Sequence, residues 1–227
     1  MTGRKSGLKT AKSRILIVDD HGLVRHGLAA VIGDEADLEV CGEAADAPAA
    51  LAQFDALKPD LVVVDLSLQT GHGLDLTRQL TARDAEARVL VLSMHDEAIF
   101  AERSLRAGAL GYINKQEAPE RVVEAIRRVL AGEVYLSPMM TQRLLRASRS
   151  GEGVQASARL PSERLSDREL TVFQMIGQGL ATREIAERLH LSIKTIETYR
   201  EHIKAKLGLK NSAELGRHAT QWALENG

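Results

Sequence analysis

The sequence predicts an α/β fold carrying a second, all-helical unit: a doubly wound five-stranded parallel sheet, a linker, and a small helix-turn-helix domain. Three observations carry this expectation. Short apolar runs alternate with segments of helical spacing through the first 132 residues. Those runs are rich in Val, Ile and Leu and lack polar alternation, as strands buried on both faces do. From Leu165 onward the spacing is helical throughout, with no strand signal. A length of 227 residues leaves room for two compact units.

Taken in order, the strands are RILIV (14–18), LEVCGE (38–43), DLVVVD (60–65), RVLVLS (88–93) and LGYI (110–113). Helical spacing occupies 21–33, 46–57, 73–83, 96–108 and 118–131; in the last, Val122, Val123, Ile126 and Val129 form one stripe. Five such units argue for helices on both faces of a parallel sheet. Residues 138–147 make a short helix with Pro138 at its start. The stretch 148–163, SRSGEGVQASARLPSE, is poor in large apolar groups and reads as a flexible linker. Ser166 and Glu169 fit a capping box opening a helix that runs to about Gly177. A helix with Ile185, Ala186 and Leu189 on one side, a tight connection at His190 to Ser192, and a second helix over 193–207 follow. Asn211 and Glu214 offer the same reciprocal cap for a final helix over about 212–224. The expected units are a basic tail (1–13), the α/β domain (14–132), a linker with a short helix (133–163) and the helical domain (164–227).

Composition narrows the function classes. Hydrophobic residues are 44% and charged residues 27%, and no apolar run approaches the roughly 20 residues of a membrane span. One cysteine, Cys41, excludes an intramolecular disulfide framework and cannot alone make a zinc site, which points to a reducing cytosol. Basic residues at the N-terminus lack an apolar segment behind them and read as a tail, not a signal peptide. The net charge of −1 conceals an uneven distribution. Residues 1–13 carry +4, and residues 14–132 hold 12 Lys/Arg against 20 Asp/Glu, or −8. Residues 133–160 carry +2, and residues 161–227 hold 10 against 9, or +1. Either this is ordinary surface variation or the two domains have different partners.

Chemistry is expected at the carboxyl ends of the strands, where the strand order of such a sheet reverses. Asp19 and Asp20 end the first strand, Asp65 ends the third, Ser93 ends the fourth, and Lys115 follows the fifth. Three carboxylates converging in one crevice need a cation, and oxygen ligands with a hydrated open face suit Mg²⁺. A carboxylate nucleophile, a metal, a lysine and a hydroxyl together would hold a transferred phosphoryl group. Singly, each residue has a plainer reading: a strand-end Asp caps a helix and a lone Lys lies on the surface. The joint pattern at successive strand ends is what separates the two.

These motifs, ILIVDDHGLVRHGL, LVVVDLSL, VLVLSMHD and GYINK, resemble the receiver domain of two-component response regulators over residues 14–132, a flavodoxin-like fold. The resemblance implies Asp65 as phosphoacceptor. It implies Asp20 as a direct Mg²⁺ ligand, Asp19 acting chiefly through a coordinated water, and the backbone carbonyl of Ser67 as a further ligand. Ser93 becomes the switch hydroxyl, Lys115 the counter-cation and Tyr112 the rotating aromatic, against the plainer reading of Tyr112 as a surface residue at a strand end. Two departures stand out. Ser67 leads into Leu68, Gln69, Thr70 and Gly71 instead of a Met-Pro-Gly turn, which leaves the loop's stiffness open. Met94 is bulkier than the usual Ala or Gly and is expected to restrict the inward swing of Tyr112. The resemblance implies that Ser67 and His95 occupy positions which in the family tune phosphoryl lifetime.

The helix pair at 182–207 has helix-turn-helix geometry, whose second helix enters a major groove, although such a pair is also plain bundle packing. In that helix Ile196, Tyr199, Ile203 and Leu207 share the buried face. Lys194, Glu197, Thr198 and Glu201 lie opposite, flanked by Arg200 and Lys204, with Thr195 at the first turn. Lys194, Arg200, Lys204, Lys206 and Lys210 suit phosphate contacts. The segment resembles the LuxR-type DNA-binding domain at Leu165, Arg168, Glu169, Gly179, Ile185, Ala186, Leu189, Ser192, Thr195, Ile196, Tyr199, Lys206 and Leu207. Receiver, linker and LuxR-type domain in this order are similar to the NarL/FixJ family. That resemblance implies a histidine kinase as phosphodonor, DNA as partner and a homodimer formed through the last helix. Glu197 and Glu201 stand where some relatives place lysines. A glutamate accepts from cytosine N4 but is repelled by phosphate, so single-domain affinity is expected to be low and dimerisation to raise it.

The leading expectation is a cytoplasmic response regulator that is no enzyme beyond its own phosphoryl transfer and dephosphorylation. Alternatives are a phosphorylation-controlled interaction module without DNA binding, and a phosphatase of the haloacid-dehalogenase type. That type places its nucleophile in a D-x-D pair on the first strand, whereas Asp19 and Asp20 are adjacent here. Two routes from receiver to DNA stay open: occlusion of helix 193–207 before phosphorylation, or a loose tether with the receiver serving only to dimerise.

Overall fold

The computed structural model describes residues 11–68, 71–149 and 164–226. Most of the expected basic tail, Gln69 and Thr70 of the loop after the third strand, and nearly all of the expected 148–163 linker lie outside the described residues. The first unit runs β1 (Ser13–Val18), α1 (Gly22–Gly33), β2 (Leu38–Ala44), α2 (Ala47–Leu57), β3 (Leu61–Val64), α3 (Gly73–Arg83), β4 (Val89–Ser93), α4 (Glu97–Arg106), β5 (Gly111–Asn114) and α5 (Pro119–Leu130). All pairings are parallel and the strand order is β2-β1-β3-β4-β5. Each expected strand and helix is present, displaced at its ends by no more than the residue or two by which element boundaries fray.

Burial on both faces explains the unbroken aliphatic runs. Leu16, Val18, Val62 and Val64 join the cluster under α2 to α4, while Ile15, Ile17, Leu61 and Val63 join the one under α1 and α5. On α5 the stripe of Val122, Val123, Ile126 and Val129 is buried, as its spacing predicts. The chain keeps contact with this unit past Gly132: Tyr135 exchanges backbone hydrogen bonds with Leu110 and Tyr112 beside β5. Helix α6 (Pro138–Arg149) follows, and Met140 is buried.

The second unit comprises α7 (Asp167–Gly177), α8 (Thr182–Arg188), α9 (Ile193–Leu207) and α10 (Ser212–Asn226). Ser166 and Glu169 form the expected capping box at α7. At α10 the cap is only half reciprocal. Asn211 accepts from the Glu214 amide, but the Glu214 carboxylate accepts from the Lys210 amide, one residue earlier than the pattern anticipates. Phe173, Ile185, Ile196, Ile203, Leu215 and Trp222 make the core of this unit. Gly177 is needed where α7 meets α10, since a Cβ there would stand 2.5 Å from the Ala219 carbonyl oxygen.

The two units are docked. Asp167, at the start of α7, takes an ion pair from Arg103 of α4 and one from Arg78 of α3, the latter at 2.8 Å. Arg103 also donates to the Leu165 carbonyl at 2.8 Å, and Arg168 donates to the Leu68 carbonyl at 3.0 Å. Of the two routes left open by the sequence, neither matches this arrangement fully: the units are in contact, yet Lys194, Glu197, Thr198 and Glu201 on α9 stay exposed.

Candidate functional site

The order β2-β1-β3 puts the carboxyl ends of β1 and β3 side by side at the switch point, where a crevice opens. Register does the rest. Val18 pairs with Val64, and the Asp65 amide donates to the Val18 carbonyl at 2.8 Å, so the residues following both strands start from the same level. Asp19, Asp20 and Asp65 therefore converge, with His21, so that one ligand atom from each lies within 4.8 Å of the others. At the neighbouring strand ends, the Lys115 amide donates to the Ser93 carbonyl, which brings the lysine over the same edge. Its Nζ lies 2.5 Å from Asp19 Oδ2 and 2.8 Å from Asp65 Oδ2.

Electrostatics follow from crowding and burial. Burial pushes the Asp65 carboxyl up to about 6; Lys115 pulls it back, Asp19 adds to the rise, and a hydrogen bond from the Ser67 backbone lowers it. For Lys115, burial works against the charged form, but the Asp65 and Asp19 carboxylates outweigh it and hold the ammonium above its ordinary range. Both side-chain oxygens of Asp20 are buried without a hydrogen-bond partner among the described residues, with His21 Nδ1 ion-paired to one of them at 2.7 Å. A buried carboxylate with orphaned oxygens is costly unless a cation meets it, and an all-oxygen donor set suits Mg²⁺. The residues present thus fit that ion.

Ser93 and Tyr112 are both fully buried, so the reading of Tyr112 as a surface aromatic is overturned. Its hydroxyl donates to the His95 carbonyl at 2.7 Å, and burial raises its pKa. Met94 does not obstruct it: the side chain is 59% exposed and lines a cleft of about 670 Å³ shared with Gln174, Gln178 and Trp222 of the helical unit. The expected restriction by Met94 is corrected on that ground. Met94 lies in the bend just after β4 and faces the cleft, while Ser93 and His95 on either side of it are buried.

His95 joins the pocket to the helical unit. The Ser93 Oγ accepts from its amide at 3.1 Å, and its Nε2 lies 2.9 Å from Ser67 Oγ. Burial holds the imidazole down at about 4, with Gln174 of α7 working against it, so the ring is neutral near pH 7. The loop after Asp65 lacks the Met-Pro-Gly turn but is anchored otherwise: Leu66 and Leu68 are buried, and Arg168 holds the Leu68 carbonyl. His72 caps α3 by accepting from the Leu74 amide, and burial drives its pKa to about 3. Sequence reasoning missed Asp167, Arg103, Arg78, Gln174 and His190. Their importance depends on domain docking, and nothing in a single chain's periodicity reports which surface meets which.

Helix α9 carries the residues expected to meet DNA. Ser192 caps it, accepting from the Thr195 amide, and the Thr195 hydroxyl bonds to that of Ser192 at 2.8 Å. Thr198 back-bonds to the Lys194 carbonyl. Lys194 is exposed and Arg200 half-buried. Two of the lysines suited to phosphate by sequence are engaged elsewhere. Lys204 is mostly buried and pairs with Glu201 at 2.8 Å, while Lys206 pairs at 2.6 Å with Glu169, which is buried.

Residues 15–127 match the response regulator receiver domain, and residues 163–219 match the bacterial regulatory proteins of the luxR family. The oxygen regulatory protein NreC of Staphylococcus carnosus is 36% identical over 213 residues, covering 93% of this chain and 98% of that protein. NreC of Staphylococcus aureus is 37% identical over 214 residues with the same coverage. Among solved structures, RcsB from Salmonella enterica serovar Typhimurium, bound to the rprA promoter in the presence of the phosphomimetic BeF3⁻, covers 92% of this chain and 98% of its own, with 26% identity and a TM-score of 0.59. A two-component response regulator of the LuxR family from Aurantimonas sp. SI85-9A1 covers 61% of this chain and 99% of its own, with 37% identity and a TM-score of 0.57.

Proposed function

The chain belongs to the response regulators that join a receiver domain to a LuxR-type DNA-binding domain, the NarL/FixJ family, and from that premise we propose Asp65 as the phosphoacceptor of a DNA-binding transcriptional regulator. One observation carries the assignment: Asp65 sits at the switch point with Lys115 Nζ 2.8 Å from its carboxylate and two further carboxylates beside it. In this reading residues 14–132 form the receiver, 133–163 the linker and 164–227 the DNA-binding domain.

The phosphodonor is the phosphohistidine of a partner histidine kinase. An ionised Asp65 oxygen attacks phosphorus; the new O–P bond forms as the P–N bond breaks, and the departing imidazole takes up a proton. Lys115 moves from pairing with Asp65 to pairing with the phosphoryl oxygens, and the Ser93 hydroxyl donates to another of them. Asp20, Asp65 and the Ser67 carbonyl would hold Mg²⁺ directly and Asp19 through a water; bound there, the ion neutralises charge on the phosphoryl oxygens. Dephosphorylation is hydrolysis of the same acyl phosphate, with Ser67 and His95 beside the path of the attacking water. On α9, Lys194 and Arg200 take phosphate contacts, with Lys204 once released from Glu201. Thr195, Glu197, Thr198 and Glu201 face the groove. Two copies bind together, with α10 as the contact between their DNA-binding domains.

The test is phosphorylation of the full chain by a small acyl phosphate in Mg²⁺. The wild type should acquire a hydroxylamine-sensitive label and Asp65→Asn should acquire none; retention of the label on the variant sinks the assignment.

A further inference from the structure

The turn between α8 and α9 places a histidine over the acidic pocket, and nothing in the phosphoryl chemistry uses it. His190 adopts a left-handed backbone, φ 51°, and directs Nε2 to 3.8 Å from Asp20 Oδ2. From the receiver side, His21 Nδ1 stands 2.7 Å from Asp20 Oδ1. The two imidazole rings lie 6.0 Å apart, and one ligand atom from each of Asp20, His21 and His190 lies within 4.8 Å of the others. Despite these approaches, neither Asp20 oxygen has a hydrogen-bond partner among the described residues, and its side chain is 1% exposed. The buried anion thus faces two ring nitrogens, with His21 paired to Oδ1 and Oδ2 left 3.8 Å from His190.

We propose that Asp20, His21 and His190 bind a borderline transition cation of the Zn²⁺ class, which staples the DNA-binding domain to the receiver. Two imidazoles and one carboxylate, with water completing a tetrahedron, are the ligand chemistry such ions select, whereas Mg²⁺ keeps to oxygen. Metal–ligand bonds of about 2.0–2.1 Å put neighbouring ligand atoms roughly 3.3 Å apart, between the spacings seen here. Both histidine side chains are about half exposed, so a small rotation completes the geometry. The site is distinct from the Mg²⁺ pocket in its nitrogen donors and in drawing on both domains. Asp20 is common to both sites and would bridge the two ions. The inference needs the docked arrangement of the domains but not the role of Asp65.

Calorimetry with Zn²⁺ on the metal-stripped full chain, in excess Mg²⁺, tests it, with Co²⁺ absorption as a second readout of tetrahedral nitrogen ligation. The expected result is one Zn²⁺ per chain, weakened at least tenfold by His190→Asn and by His21→Ala. Loss of an outer partner alone costs about 10–100-fold in metal affinity, and loss of a ligand should cost no less. Asn tolerates the left-handed backbone, so His190→Asn keeps the turn. His202→Ala, at an exposed histidine on α9 away from the pocket, should bind as the wild type. Displacement of Zn²⁺ by Mg²⁺, an absence of binding, wild-type affinity in His190→Asn, or equal loss in His202→Ala would each overturn the proposal.

Discussion

Asp167→Asn probes the docking of the two domains with little change in shape. The carboxylate accepts from Arg103 and Arg78, and its side chain is 12% exposed against 16% for Arg103 and 47% for Arg78. Breaking a buried pair costs about 3–5 kcal/mol, and an exposed one contributes about 0–1 kcal/mol. The Arg103 pair lies between these limits and Asn keeps one acceptor oxygen, so a net loss of about 2 kcal/mol is expected. That corresponds to a roughly 30-fold rise in the opening equilibrium, at 1.36 kcal/mol per decade. Hydrogen exchange reads this constant whatever the starting population. The amides of His95 and Leu74, held by Ser93 Oγ and by His72 within the receiver next to residues that feel the charges of α7, should exchange faster by up to about 30-fold, while that of Val62 in the central strand should not change. Unchanged exchange at His95 and Leu74 would refute the docking energetics. An equal acceleration at Val62 would show that the substitution loosens the receiver itself.

Acid should open the same interface. The pKa values of His72 and His95, about 3 and about 4, lie below the unfolded 6.5, so their stabilising contribution is full above about 6.5 and is lost as pH falls toward those values. For His95 alone this amounts to about 2 kcal/mol at pH 5. Thermal melts at pH 5 and 7.5 should show a loss that His95→Gln reduces, and an identical pH dependence in the variant would contradict the assignment. On α9, Lys194→Ala should weaken DNA binding evenly across sequences and lower the salt slope by about 1, measured by anisotropy over a salt series. Lys206→Ala should leave that slope alone and lower the melting temperature, because it strips the partner from the buried Glu169. Gly73→Ala should abolish phosphoryl labelling, since its Cβ would stand 2.2 Å from the Asp65 carbonyl oxygen, a backbone atom with nowhere to move. Overpacking of this kind costs about 1–3 kcal/mol, and normal labelling of a folded variant would contradict it.

The elements and the pocket were legible in the sequence because both follow from local pattern. Strands buried on two faces need continuous Val, Ile and Leu, and the strand-end positions of Asp19, Asp20, Asp65, Ser93 and Lys115 follow once the strands are placed. Orientation of individual side chains at loop starts was less legible. Met94 differs in direction from the expectation, lying exposed in the bend after β4, while Tyr112 departs only from its plainer surface reading. The lysines on α9 show another limit. Charge and helical position made Lys194 and Lys206 look alike, but only the tertiary packing of α7 on α9 discloses that Lys206 neutralises a buried glutamate. Docking was illegible altogether, because Asp167 reads as an ordinary acidic residue in the first turn of a helix.

His95 is where the pocket and the docking surface meet, and it sets a limit on what the receiver alone can do. In the proposed mechanism a phosphoryl group that draws the Ser93 hydroxyl toward itself would take that oxygen from the His95 amide, and a shift of the His95 segment would strain the Tyr112 bond beside α7. Hydrogen bonds of this kind contribute about 0.5–1.5 kcal/mol each. Two of them would move the docking equilibrium by about 1–3 kcal/mol at most, short of the roughly 5.5 kcal/mol needed to pass from 1:99 to 99:1. A full switch on this scaffold therefore needs a second source of free energy that favours the open form. The proposed pairing of two chains on DNA would supply one, and with only +1 net charge over residues 161–227 it is also the term that a single DNA-binding domain lacks.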